Sequence, residues 1–183
     1  MTVARQALDA LGAWLVQTDV GLGLLFLVGL SMSLSHVFAL LANRLNARQI
    51  LTHLLLDGLM LSVAFLLSST IDMVLLATYA SAPVHPSAFI NSIATCLLPA
   101  VLYLLVAAPY VGELIGLVIW VLLHLNVLSL LHVRFGLPYG EALSLASPGY
   151  LVAVVLVGLL FRQSWRAGYS TLASQLPSHG GAP

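Results

Sequence analysis

The sequence predicts an all-α fold: a polytopic membrane helix bundle of about five transmembrane helices, preceded by an interfacial amphipathic helix. Three observations carry this. Hydrophobic residues make up 61% of the 183 and charged residues only 7%, whereas a soluble domain carries about a quarter charged side chains. The apolar residues are gathered into long runs such as Leu114 to Val133, which holds no formal charge. About 20 residues at about 1.5 Å each cross a hydrocarbon core of about 30 Å, so such a run has the length of a span. Between the runs stand short turns bearing Pro, Gly or Arg, among them NRLNARQ and SAPVHPSA.

Taken in order, residues 1–18 place Val3, Ala4, Ala7, Leu8, Leu11, Trp14 and Leu15 on one helical side and Thr2, Arg5, Gln6, Asp9 and Gln17 largely on the other. That is an amphipathic helix expected to lie in the membrane interface or to cover the bundle end. Nothing in this stretch reads as a secretory signal, because a basic region followed by an unbroken apolar one is missing. The bundle is expected over 19–166, with spans at about 20–43, 50–80, 89–108, 111–133 and 145–163. The second is too long to be simple, so it is expected to tilt, to reach into the headgroups, or to break near Ser68, Ser69 and Thr70. Pro99 predicts a kink in the third span. The break from Pro109 to Gly112 is short enough to make the third and fourth spans an antiparallel hairpin. The fifth has a strongly apolar core shorter than a full crossing and reaches that length only by including Pro148. Residues 167–183 read as a flexible tail. With five spans, Arg44, Arg48, Arg162 and Arg166 share one side and Arg5 and Arg134 the other, which puts the N-terminus outside.

Charge excludes one class of partner. Six Arg, no Lys and six acidic residues give a formal net charge of zero, so there is no basic field for nucleic acid. Cys96 is the single cysteine, which excludes a disulfide framework. No HExxH, GxSxG, P-loop or GxGxxG motif occurs, and no catalytic or metal-ligating set and no cofactor is expected. The polar residues of interest are those inside apolar runs: His53, Asp57, Asp72, Glu113 and His124. Intramembrane carboxylates cost about 2.5 to 3.5 kcal/mol at the bilayer centre and mark pathways. Asp57 and Asp72, however, flank an uncharged stretch of about 21 Å, which places each within about 5 Å of a boundary, where it can snorkel or hold a water. His53 stands four residues before Asp57, within helical reach of a hydrogen bond. Glu113 opens its helix, where a carboxylate suits the positive end of the dipole. His124 lies deeper, on the side of Trp120, and a hydrogen bond to a neighbour is the ordinary role for such a ring. Gly29 and Ser33 have the small-xxx-small spacing of a close helix crossing, within the monomer or between chains.

The segment from Ile90 to Pro148, INSIATCLLPAVLYLLVAAPYVGELIGLVIWVLLHLNVLSLLHVRFGLPYGEALSLASP, resembles the C-terminal portion of bacterial proteins of the Yip family. Pro99 within its span, the break at Pro109, Trp120 before a long aliphatic run and the HVRFGLPYGEAL turn leading to Pro148 carry the resemblance. It implies a five-helix integral membrane protein without known catalytic residues, whose eukaryotic relatives bind membrane-trafficking GTPases. The chain has no DLYGP-like motif, and the resemblance transfers no functional residue to it.

These readings converge on a non-enzymatic accessory, scaffold or membrane-organising protein. Its expected partners are other membrane proteins and lipid, in a homo- or hetero-oligomer. The expected location is a bacterial plasma membrane or an internal, thylakoid-like membrane. The second reading is a small transporter or a pigment- or haem-binding subunit of a membrane complex. Haem is disfavoured by depth, since a bis-His site needs two ligands at matched depth on facing helices and no pair of histidines matches cleanly.

Overall fold

Each apolar run becomes a helix, because backbone N–H and C=O groups in lipid must be satisfied within the segment itself. The computed structural model describes residues 21–42, 44–80, 84–108 and 110–175. The expected interfacial helix at 1–18 and the last part of the expected tail lie outside the described residues. The elements are α1 (Gly21–Leu34), α2 (Val37–Ala42), α3 (Ala47–Tyr79), α4 (Pro86–Cys96), a 3₁₀ helix (Leu98–Ala107), α5 (Gly112–Phe135) and α6 (Tyr139–Gln175). Four helical stretches are long and apolar enough to cross a membrane: Ala47–Tyr79, Pro86–Ala107, Gly112–Phe135 and Tyr139–Arg162. With the shorter α1 they make an all-α membrane bundle.

The first expected span, 20–43, is not one helix. Helix α1 has 14 residues, about 21 Å of rise, which is short of the hydrocarbon core. The chain turns at Ser35 and His36, whose N–H groups bond Met32 O and Ser33 O three residues back. The Ser35 hydroxyl adds a second bond to Met32 O, at 2.7 Å. A serine that offers the backbone this local alternative competes with helix propagation.

Of the three alternatives for the second span, a tilt, an extension into the headgroups or a break near Ser68 to Thr70, the break is absent. Helix α3 runs unbroken for 33 residues, about 50 Å, so it extends past the hydrocarbon core or tilts within it. Ser69 and Thr70 turn their hydroxyls onto the helix's own carbonyls, Phe65 O at 2.7 Å and Leu66 O at 2.8 Å. Its start is fixed by a capping box in which Asn46 and Gln49 each accept the other's backbone N–H.

Pro99 acts as expected and its effect is specific. Lacking an N–H, it ends the α pattern of α4, and the chain continues as a 3₁₀ helix in which Ala100 N bonds Leu97 O. Cys96 O is left outside that ladder and takes the Asn126 side-chain amide of α5 at 3.0 Å. The kink therefore also ties two spans together.

Pro148 does not end its helix. Helix α6 starts at Tyr139, ahead of the expected 145, and its backbone continues to Gln175, beyond the expected 163. The preceding turn is set by Gly136, whose φ of 68° closes α5 in the left-handed region. Leu137 is buried there. Its carbonyl lies 2.7 Å from His132 Nδ1, and the His132 ring stacks on Tyr139 at 4.0 Å.

The elements close into a ring. Helix α3 packs on α1 and α6, α5 packs on α6 and on the α4/3₁₀ span, and that span returns to α1. The core runs down the middle: Leu25, Val28 and Met32 of α1 meet Leu61 and Phe65 of α3, with Phe89, Ile119, Leu131 and Val157 from the other walls. Gly29 and Gly58 let α1 and α3 approach backbone to backbone; a Cβ at Gly29 would overlap Gly58 O and Ser62 Oγ. The Ser62 hydroxyl then reaches Leu25 O across the crossing at 3.1 Å. Ser33 is fully buried as well. The small-residue stripe thus closes the monomer.

Candidate intramembrane polar site

Within the ring a cavity of about 20 Å³ lies where α3, α4, α5 and α6 converge. Helix α3 supplies Phe65, Ser68 and Asp72; α5 supplies Trp120, Leu123, His124 and Val127; α6 supplies Ala146, Tyr150 and Ala153. Ile93 of α4 and Leu97 beyond it complete the wall.

Asp72 reaches this point because α6 makes room for it. At Gly149 a Cβ would overlap the Asp72 carboxyl and press on Ser68 O, so only a glycine lets the two helices meet here. Ser68, one turn before Asp72, donates its hydroxyl to Gly149 O at 2.8 Å and fixes the register of α3 on α6. The Asp72 side chain is left 3% exposed against the Gly149 backbone, which acts on its carboxyl, and its Oδ1 makes no hydrogen bond of full geometry in the protein. Of the two roles expected for Asp72, snorkelling is closed to it by its burial and holding a water stays open. Its position along α3 alone puts it about 10 Å from the helix end at Tyr79, but it is enclosed by a second helix, which spacing along one helix does not reveal.

His124 faces the same cavity. Its ring lies 4.4 Å from that of Tyr150, which also meets Trp120 at 5.9 Å; Trp120 in turn lies 6.1 Å from Phe65. A row of three aromatic rings, Phe65, Trp120 and Tyr150, thus ends on the imidazole. His124 Nδ1 is buried and, like Asp72 Oδ1, makes no hydrogen bond of full geometry in the protein. A third such buried atom, Ser33 Oγ, belongs to α1 and lies outside this cavity.

The other sequence candidates fall elsewhere. Asp57 is half-buried beside a smaller hollow of about 10 Å³ lined also by Leu61, Leu160 and Phe161. Its electrostatic neighbours are His36 and His53. His36 packs edge-on against Phe161 at 4.3 Å, and His53 is exposed. Glu113 is exposed in the first turn of α5. Of the five polar candidates, the structure unites Asp72 and His124 in one place. Reading the sequence missed Ser68, Gly149 and Tyr150. Ser68 had a usable signal, the spacing of four that puts it on the face of Asp72; Gly149 and Tyr150 had only the Pro-Gly pair in an apolar run.

Among the described residues no group of three or more His, Cys, Asp or Glu side chains could hold a metal ion. Comparison with protein-family models, with curated proteins and with solved structures finds no match.

Proposed function

We propose that this chain is a non-enzymatic accessory or organising protein of its membrane, acting through association with other membrane proteins and lipid. One observation carries the reading: the polar and small side chains are largely spent on holding the bundle together, while its outside is apolar. Gly29, Gly58 and Ser62 close one crossing, Ser68 and Gly149 a second, and Asn126 with Cys96 a third. The outward rows, such as Leu55, Leu59 and Val63 on α3 or Leu114, Val118 and Val121 on α5, are exposed aliphatic side chains. Such rows contact lipid or neighbouring spans and offer no reacting group. The resemblance to Yip proteins supports the same reading, and membership of that family, in a bacterial plasma membrane or an internal thylakoid-like one, belongs to this proposal.

A specific observation favours the alternative of a small transporter: the meeting of Asp72 and His124 inside the membrane, where ionisable residues mark ion or proton pathways. Mild-detergent extraction of the tagged chain, followed by native electrophoresis, separates the readings. A companion chain or a discrete oligomer is expected. A lone monomer without companions would count against the accessory role and leave transport as the reading to pursue.

A further inference from the structure

We infer that Asp72 and His124 form a buried site that binds one water molecule and, through it, an exchangeable proton inside the membrane. This goes beyond the accessory role, which needs no internal polar site. Two independent features of the geometry meet. The cavity is about 20 Å³, enough for a single water. Two buried polar atoms of the residues lining it, Asp72 Oδ1 and His124 Nδ1, make no hydrogen bond of full geometry in the protein, the Asp72 carboxyl having only the Gly149 backbone beside it. A buried water makes two to four hydrogen bonds, and these two atoms offer it both an acceptor site and a ring nitrogen that donates or accepts according to its tautomer.

The surroundings restrict what else can enter. Titratable groups on the cavity wall are Asp72 from α3, His124 from α5 and Tyr150 from α6; α4 contributes only Ile93, with Leu97 just beyond it. A sodium ion needs a shell of several oxygens, and beyond the Asp72 carboxyl this wall offers only the Ser68 hydroxyl, which already donates to Gly149 O, and the Tyr150 phenol. A proton needs one acceptor and one partner. Gly149 and Ser68 give the site its rigidity: the first admits the carboxyl and the second pins α3 to α6 one turn away.

The test is infrared spectroscopy of the full chain in phosphatidylcholine vesicles, with ¹³C-labelled aspartate, as pH is varied. The Asp72 carboxyl band is assigned by its disappearance in Asp72→Asn; replacing Asp9, Asp19 and Asp57 by Asn removes the other three labelled bands and completes the assignment should Asp72→Asn fail to fold. His124→Phe and His124→Gln are then compared with wild type. The expected result is that the Asp72 band shifts in both variants, that its titration midpoint moves by at least tenfold in proton concentration in His124→Phe, and that exchange into H₂¹⁸O perturbs the same region in wild type only. A band and midpoint unchanged in both His124 variants would overturn the inference. So would a band that responds to sodium at constant pH and not to pH, which would make the site one for a cation.

Discussion

Gly149 shows how much can depend on a missing side chain. It lies in α6 directly after Pro148, and any Cβ there would meet the Asp72 carboxyl and the Ser68 carbonyl of α3. Gly149→Ala is therefore expected to destabilise the folded chain by about 1 to 3 kcal/mol, the usual cost of forcing extra volume into a packed crossing. Adding Asp72→Ala should return part of that loss, because it removes one of the two atoms in the way. Melting of the single and double variants in the same detergent checks this; a double variant whose loss is the plain sum of the two would separate Gly149 from Asp72. At this scale the sequence was half legible. Asp72 and His124 stand out as polar residues in apolar runs, and Glu113 declares its helix start. That Asp72 and His124 share a cavity was not readable, because they sit on different helices and the residue that lets them meet is a glycine on a third.

The two prolines of the spans have different outcomes. Pro99 converts its helix to a 3₁₀ stretch, and the Cys96 carbonyl freed from the ladder is taken up by Asn126. Pro148 sits within an otherwise continuous α6, where Gly149 O is engaged by Ser68 from outside. Asn126→Ala is expected to cost about 1 to 3 kcal/mol, since it strands a buried acceptor. The cost should shrink in a Pro99→Ala background, where Ala100 N can return to Cys96 O. Equal costs in the two backgrounds, measured by detergent melting, would show that the proline and the amide are independent. The small residues of α1 make a related point. Gly29 and Ser33 advertise a close crossing in sequence, but spacing alone serves a crossing within one chain and between two equally well. Gly29 is packed against α3 and Ser33 is buried within the bundle, which assigns both to the monomer, so Gly29→Leu should lower the melting temperature of the isolated chain itself. A substitution that left the monomer's melting unchanged and dissolved only a larger complex would reverse that assignment. A break at Ser68 to Thr70 was one of three readings of the second span, and it is the one the structure does not take. Hydroxyls in a span can fold back onto their own helix and leave it whole, as Ser69 and Thr70 do.

For the molecule as a whole, composition and run length were sufficient to fix the class, because lipid permits few ways of satisfying a backbone. They do not fix how the helices close on one another, which rests on single glycines and serines at the crossings. They also mislead about α1, whose apolar run is long enough to cross but whose helix stops at Leu34 when Ser35 bonds back to Met32. The unbroken α3 provides a topological test that does not depend on how many other segments cross. Ala47 at its start and Ser87, just past its end in the first turn of α4, are both exposed. Cysteines placed there, in a Cys96→Ser background, should therefore react with an impermeant thiol reagent from opposite sides of the membrane. Cys96→Ser is a suitable background because the native thiol already points at Asn126 O, a carbonyl that a hydroxyl can equally serve. The Arg distribution adds a direction: Arg44 and Arg48 flank the start of α3, and the side carrying more Arg faces the cytoplasm. Ser87→Cys is thus expected to label in intact cells and Ala47→Cys only after the membrane is opened. Labelling of Ala47→Cys alone in intact cells would invert the orientation and leave the crossing intact, whereas labelling of both from one side would mean that α3 does not span.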